Sequence, residues 1–159
     1  MAPPHLSSTL SVLTQREPTS PETEVRTRVF AWCSAWSSID GKLPTEKLRE
    51  IVTDGPVRMV TDFGGHMTVN VSLGSYCAFW SSLVSETFCE WSLMIDSPID
   101  VTISGDMAVA EFHTRLQGMT HENDGKSQRQ HSRQMFEYAR GVWRLVQEQT
   151  TIVHEEACL

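Results

Sequence analysis

Apolar residues near the start of the chain recur at helical spacing. Val25, Val29, Trp32, Cys33 and Trp36 fall three or four positions apart, so they share one stripe of a helix that Pro21 and Glu22 open and Asp40-Gly41 ends. Pro44-Thr45-Glu46 starts a second, shorter helix with Leu48, Ile51 and Val52 inward, and Asp54-Gly55-Pro56 stops it. Val57 to Thr61 reads as a short strand. Asp62-Phe63-Gly64-Gly65-His66 follows as a loop, where paired glycines let the backbone turn sharply. Gly74-Ser75 precedes a third helix from about Tyr76 to Val84. The period then drops to two. Thr87 to Ile95, Ile99 to Ile103, Met107 to Gly118, Gln128 to Tyr138 and Val142 to Val153 read as strands. Ser104-Gly105-Asp106, Asn123-Asp124-Gly125-Lys126 and Ala139-Arg140-Gly141 are the turns between the later ones.

Three helices thus precede about four long antiparallel strands. Such strands must bury one face, and the early helices are the available cover. The pattern predicts an α+β fold in which a curved antiparallel sheet is covered by three N-terminal helices, with a pocket at its wide end. Residues 21–153 form this domain. Residues 1–20, rich in Pro, Ser and Thr, read as a tail, and 154–159 as a short C-terminal one.

Composition narrows the function. Of 159 residues, 40% are hydrophobic and 21% charged, which suits one globular domain. Thirteen basic against twenty acidic residues give a net charge of −7. Without a basic cluster, neither nucleic acid nor an anionic membrane is expected as partner. Cys33, Cys77, Cys89 and Cys158 form no CxxC pair, and the expectation is reduced thiols, three of them packed as small hydrophobes, in a reducing compartment. The N-terminus lacks the basic start and apolar run of a signal peptide, so a cytoplasmic location is expected. His5, His66, His113, His121, His131 and His154 show no i, i+4 pair, and no metal site is expected. No motif for a Cys or Ser nucleophile is present.

Strand alternation sorts the candidate pocket residues. Ala110, Phe112, Thr114 and Leu116 share an apolar face, and Glu111, His113 and Arg115 share a solvated or interfacial one. Gln130, Ser132, Gln134, Phe136 and Tyr138 share a face opposite His131, Arg133 and Met135. Strict alternation on the last strand separates Arg144, Val146 and Glu148 from Trp143, Leu145 and Gln147. Trp32, Trp36, Tyr76, Trp80 and Trp91 are either a substrate-stacking wall or plain core. Asp62 is either an Asx-turn residue or a partly desolvated base at the pocket mouth. Glu148 is either its acid–base partner or the ion-pair partner of Arg144.

Four stretches, VRTRVFAWCSAW, VRMVTDFGG, ISGDMAVAEFHTRLQG and HSRQMFEYARGVWRLVQEQTT, taken in order, resemble SnoaL-like proteins of the nuclear-transport-factor-like cone superfamily, relatives of ketosteroid isomerase and scytalone dehydratase. The resemblance covers roughly residues 22 to 153. It implies a cone-shaped barrel with a deep apolar pocket, no cofactor, and dimerisation through the outer sheet face. It implies an isomerase or cyclase acting by proton transfer on a hydrophobic polyketide- or terpenoid-type metabolite of secondary metabolism. A dehydratase, or a non-catalytic small-molecule-binding or dimerisation module, is the alternative. VTDFGG resembles the segment holding the base of ketosteroid isomerase, which makes Asp62 the first candidate catalyst. HSRQ resembles the substrate-binding segment of scytalone dehydratase, which assigns Ser132 to substrate binding and Gln134 to charge stabilisation. The same alignment turns Glu148 inward and leaves Trp143 as outer packing under a helix or partner. It makes Trp32, Trp36, Tyr76, Trp80, Phe112, Thr114, Phe136 and Tyr138 candidate substrate contacts. Trp32 stands where ketosteroid isomerase has its oxyanion Tyr and cannot supply that hydroxyl. Leu93 and Met94 stand where family dehydratases place a His, and this departure favours isomerisation or cyclisation over dehydration.

Overall fold

The structure, a computed structural model, describes residues 19–154. The expected tails fall mostly outside that range, as does Cys158. Ser20 does not belong to a tail. It is the N-cap of helix α1 (Pro21–Trp36), its Oγ accepting the Thr23 N–H at 3.2 Å, with Pro21 in the first turn. The buried face of α1 includes all five residues of the expected stripe. Arg28, on the same helix, donates to the carbonyl of Glu50 at 2.9 Å and ties down helix α2 (Thr45–Arg49).

Strand β1 (Arg58–Asp62) leads into β2 (Met67–Asn70), and Ser72 caps helix α3 (Leu73–Thr87). Then come β3 (Phe88–Ile95), β4 (Asp100–Ser104), β5 (Met107–Thr120), β6 (Gly125–Ala139) and β7 (Val142–Val153). They build one curved, unclosed sheet in the order β2-β1-β7-β6-β5-β3, with β4 pairing the other end of the β5 edge. The α+β class and the helix-covered curved sheet are as expected.

Three features of the sheet differ from the expectation. The sheet is mixed, because β1 runs parallel to β7, Met59 opposite Glu148 and Thr61 opposite Thr150. Periodicity sets which face a strand buries but not which strand it meets or in which direction, so this pairing left no local mark. Strand β2 is not among the expected elements; it has only four residues, too few for its alternation to stand out, and its Met67 and Val69 are exposed. The third difference is a pair of β-bulges. Cys89 is the extra residue against β5, between Phe88↔Thr120 and Glu90↔Met119. Val146 is the extra residue of β7, between Met135↔Gln147 and Phe136↔Leu145.

Among the described cysteines, Cys33 and Cys77 are buried, and Cys89, at the bulge, is exposed, its thiol donating to the carbonyl of Met119 at 3.2 Å. Opposite it, a Cβ on Gly118 would come within 2.2 Å of the Glu90 carbonyl oxygen, so only glycine lets the bulged strand pass this close. The core fills the space between the sheet and the helices, from Val25, Val29 and Trp32 on α1 to Ala108, Phe136 and Leu145 on the strands.

Candidate functional site

The Val146 bulge decides which β7 side chains face the helices. On a regular strand Trp143 and Leu145 would turn away from Glu148. With one residue inserted between them, Trp143, Leu145, Glu148, Thr150 and Ile152 are all buried. Trp143 is therefore not outer packing on the far face. It sits on the Glu148 side, and its indole N–H donates to Glu24 of α1 at 3.1 Å.

The bulge leaves a carboxyl in the core. Glu148 is 3% exposed. One of its oxygens accepts a hydrogen bond from the Gln134 amide of the neighbouring strand. The other accepts from the Tyr76 hydroxyl of α3 at 3.3 Å, and that hydroxyl accepts from the Trp36 indole N–H of α1 at 3.1 Å. Thr150, next inward on the same strand, adds a further side-chain hydrogen bond. Burial raises the Glu148 pKa, while the bonds from Gln134, Thr150 and Tyr76 pull it back. Burial first, and then the nearby carboxylate, push the Tyr76 hydroxyl well above its ordinary range, so it stays a proton donor at neutral pH. Cys33, buried beside the same carboxyl, is pushed up as well, which leaves it an inert thiol.

Above this carboxyl lies a narrow slot. Trp32, Trp36, Tyr76 and Trp80 wall it from the helices, and Leu93, Phe112, Thr114, Gln130 and Ser132 wall it from the strands. The aromatic side is mutually packed: Trp36 meets Trp80 edge-on at 5.2 Å, and Tyr76 lies 5.8 Å from Trp32. The free volume is about 10 Å³, room for about one water. Two buried polar atoms at the slot, Thr114 Oγ1 and Gln134 Oε1, have no partner among the described residues.

Eight of the twelve residues expected at the site line this slot: Trp32, Trp36, Tyr76, Trp80, Phe112, Thr114, Ser132 and Glu148. Gln134 touches Glu148 from below. The other three lie elsewhere. Phe136 is fully buried in the core, beyond the slot. Tyr138 is 39% exposed and packs on Trp143 at 5.1 Å. Asp62 does not stand at the slot. Its neighbour Thr61 takes the buried position, while the Asp62 Oδ1 accepts the Gly64 N–H at 2.8 Å in an Asx turn. Leu93, Gln130 and Thr150 were not among the expected site residues. Gln130 and Thr150 could have been found by stepping two residues from Ser132 and from Glu148.

The remaining histidines of β5 and β6 lie on the opposite sheet face. His113 and His131 meet edge to face at 5.1 Å, and His131 lies 3.8 Å from Glu111. Burial and then Arg129 and His131 lower the His113 pKa, against the pull of Asp96. This is a charged outer surface, not part of the slot. Among the described residues, no helix is long and apolar enough to cross a membrane, and no three His, Cys, Asp or Glu side chains gather as a metal site would need.

No protein-family model matches the chain, and no curated protein does. Solved structures do match. A nuclear transport factor 2-like superfamily protein from Salmonella enterica serovar Typhimurium superposes with a TM-score of 0.68 at 14% identity, over 84% of this chain and 92% of that one. This chain adopts the nuclear transport factor 2-like cone fold. A proposed dehydratase of that family from Streptomyces avermitilis matches with a TM-score of 0.67 at 16% identity, over 86% of this chain and all (100%) of that one. A proposed calcium/calmodulin-dependent protein kinase II association domain from Xanthomonas campestris matches at 0.65 and 14%, over 90% and 95% of the two chains. At such identities the likeness is one of fold. Neighbours named for catalysis and for assembly share this cone, so the fold does not choose between them.

Proposed function

We propose that this protein is a cofactor-independent acid–base enzyme that isomerises or cyclises a small hydrophobic metabolite of the polyketide or terpenoid type. The observation that carries the reading is the Glu148 carboxyl. It lies buried at the floor of an aromatic slot, hydrogen-bonded by Tyr76 and Gln134, with its pKa raised by burial. A carboxyl shifted in this direction is suited to take and return a proton near neutral pH.

In this reading Glu148, not Asp62, removes a proton from the carbon α to a substrate carbonyl. The electron pair moves to the carbonyl oxygen. Donors at the slot then hold the resulting enolate: the Tyr76 hydroxyl, which turns its proton from Glu148 to the oxyanion once that carboxyl is protonated, and the hydroxyls of Thr114 and Ser132. Glu148 returns the proton to a different carbon for isomerisation. If Glu148 instead passes that proton to a β-hydroxyl, the C–O bond of the same enolate breaks, water leaves and the carbonyl re-forms beside a new C=C bond, which would make the reaction a dehydration. Gln134 keeps the carboxyl aimed into the slot, and the aromatic wall, which must part to admit a flat substrate, then stacks on it and excludes water.

The test is α-proton exchange. The protein is incubated in heavy water with β-tetralone, a bicyclic ketone with acidic α-hydrogens, and deuterium uptake is followed by mass spectrometry. Uptake above the buffer rate, reduced on the order of a hundredfold by Glu148→Gln, is expected. Uptake at the buffer rate with wild-type protein, across a panel of such ketones, would sink the reading. One observation favours a second reading, a non-catalytic binding or dimerisation module: the slot has room for about one water. Native mass spectrometry of the protein from its own producer separates the two. A retained metabolite identical in wild type and Glu148→Gln supports the binding module.

A further inference from the structure

The inward face of β5 and β6 continues outward beyond the slot. Opposite one another on the two strands stand Phe112 and Ser132, then Thr114 and Gln130, then Leu116 and Gln128, then Gly118 and Lys126. Neighbouring pairs are about 6.6 Å apart, so the ladder spans about 20 Å. The first two pairs line the slot. Leu116, Gln128 and Lys126 line a second chamber of about 190 Å³, which Phe63, Leu83 and Phe88 help enclose. Trp80 belongs to both linings, and its buried indole N–H has no partner among the described residues. The Gln130 amide at the slot donates to Gln128 at the chamber, at 3.3 Å. Slot and chamber are therefore successive stations on one strand face, divided by one indole.

Charge is distributed unevenly along this ladder. Its inner end is the Glu148 carboxyl. Its outer end is Lys126, an exposed side chain with no ion pair among the described residues; no carboxylate lines the chamber itself, while Glu86, Glu90, Glu122 and Asp124 line the neighbouring surface clefts that Lys126 also borders. An anionic group would be repelled from the floor and drawn to the rim. We propose that the chamber seats the apolar body of the substrate, and that this substrate is an apolar monoanion whose charged end lies at Lys126 while its other end passes Trp80 toward Glu148. The orientation rests on the acid–base reading of Glu148. The chamber and its preference for one negative charge do not.

Two fluorescent probes with closely similar aromatic bodies test this: anilinonaphthalene sulfonate, a monoanion, and N-phenylnaphthylamine, which is neutral. Wild-type protein is expected to bind both, the sulfonate more tightly and with the advantage fading in high salt. Lys126→Gln should weaken the sulfonate roughly fivefold and leave the neutral probe unchanged. Leu83→Trp, at a half-buried position of the lining, should fill the chamber and abolish both. Should that variant unfold, Gln128→Trp fills the same space from the strand side. Equal weakening of both probes by Lys126→Gln, no weakening at all, or full binding to a filled chamber would overturn the proposal. Probe binding is read without any α-proton exchange, so a failed exchange assay and a failed binding assay point to different errors.

Discussion

Replacing Glu148 with Gln should stabilise the protein at neutral pH and flatten its stability profile. The carboxyl is 3% exposed, and burial holds its pKa above the ordinary 4.5 despite three hydrogen bonds that favour the charged form. The sign follows from proton linkage. Below the unfolded value, near pH 4.5, the group is protonated in both states and adds no pH dependence. As pH rises past that value, the unfolded chain releases the proton while the folded chain keeps it. The folded state then binds more protons, so stability falls with rising pH until the raised folded pKa is passed. One group can contribute a slope of at most about 1.4 kcal/mol per pH unit. An amide has no such proton, and it avoids the cost of a buried charge, which exceeds what the hydrogen bonds return. Urea unfolding followed by circular dichroism, at steps from about pH 4.5 to pH 8, gives both profiles. Their difference isolates Glu148, because every other titrating group is common to both chains. The variant should gain on the wild type as pH rises. Parallel profiles would show that Glu148 holds no extra proton in the fold, and the acid–base reading would lose its basis.

Four further outcomes follow from particular contacts. Tyr76→Phe should cost about 1–3 kcal/mol in urea unfolding, because it strands the buried Trp36 indole N–H and removes a donor from Glu148. Asp62→Asn should leave β-tetralone exchange at the wild-type rate, since an amide oxygen can also accept the Gly64 N–H; a large loss of exchange would restore Asp62 as the base. Gly118→Ala should destabilise by about 1–3 kcal/mol or more, because the new Cβ meets the Glu90 carbonyl at 2.2 Å, and an unchanged thermal midpoint would contradict the bulge geometry. Ser20→Ala should cost about 1 kcal/mol of thermal stability through loss of the α1 cap.

Much of the fold is legible in the sequence because local rules write it there. The α1 stripe from Val25 to Trp36 is all buried, and the β4–β5 hairpin closes where Ser104-Gly105-Asp106 places it. The same period-two reading puts Phe112, Thr114, Ser132 and Gln134 on the inward face. What it leaves out is non-local. The parallel meeting of β1 with β7 joins strands separated in the chain by β2, α3 and β3 to β6, and the edge strand β2 is only four residues long, with its Met67 and Val69 exposed. Asp62 looks like a catalyst in a short motif, yet its neighbour Thr61 holds the inward place.

The Val146 bulge shows why a site can be harder to read than its scaffold. Alternation on β7 forces a choice between burying Trp143 with Leu145 and burying Glu148 with Thr150. One inserted residue removes the choice, and both sets are buried. The indole then anchors the strand to Glu24 of α1, and the carboxyl meets Gln134, Tyr76 and Thr150. A buried carboxyl is costly for folding, and a bulge interrupts the ladder that would otherwise stabilise the strand. Both departures from a simple core occur within three residues of one strand. In the proposed acid–base reading the carboxyl is used, and the stability gained on converting it to an amide would measure what the fold gives up to keep it there.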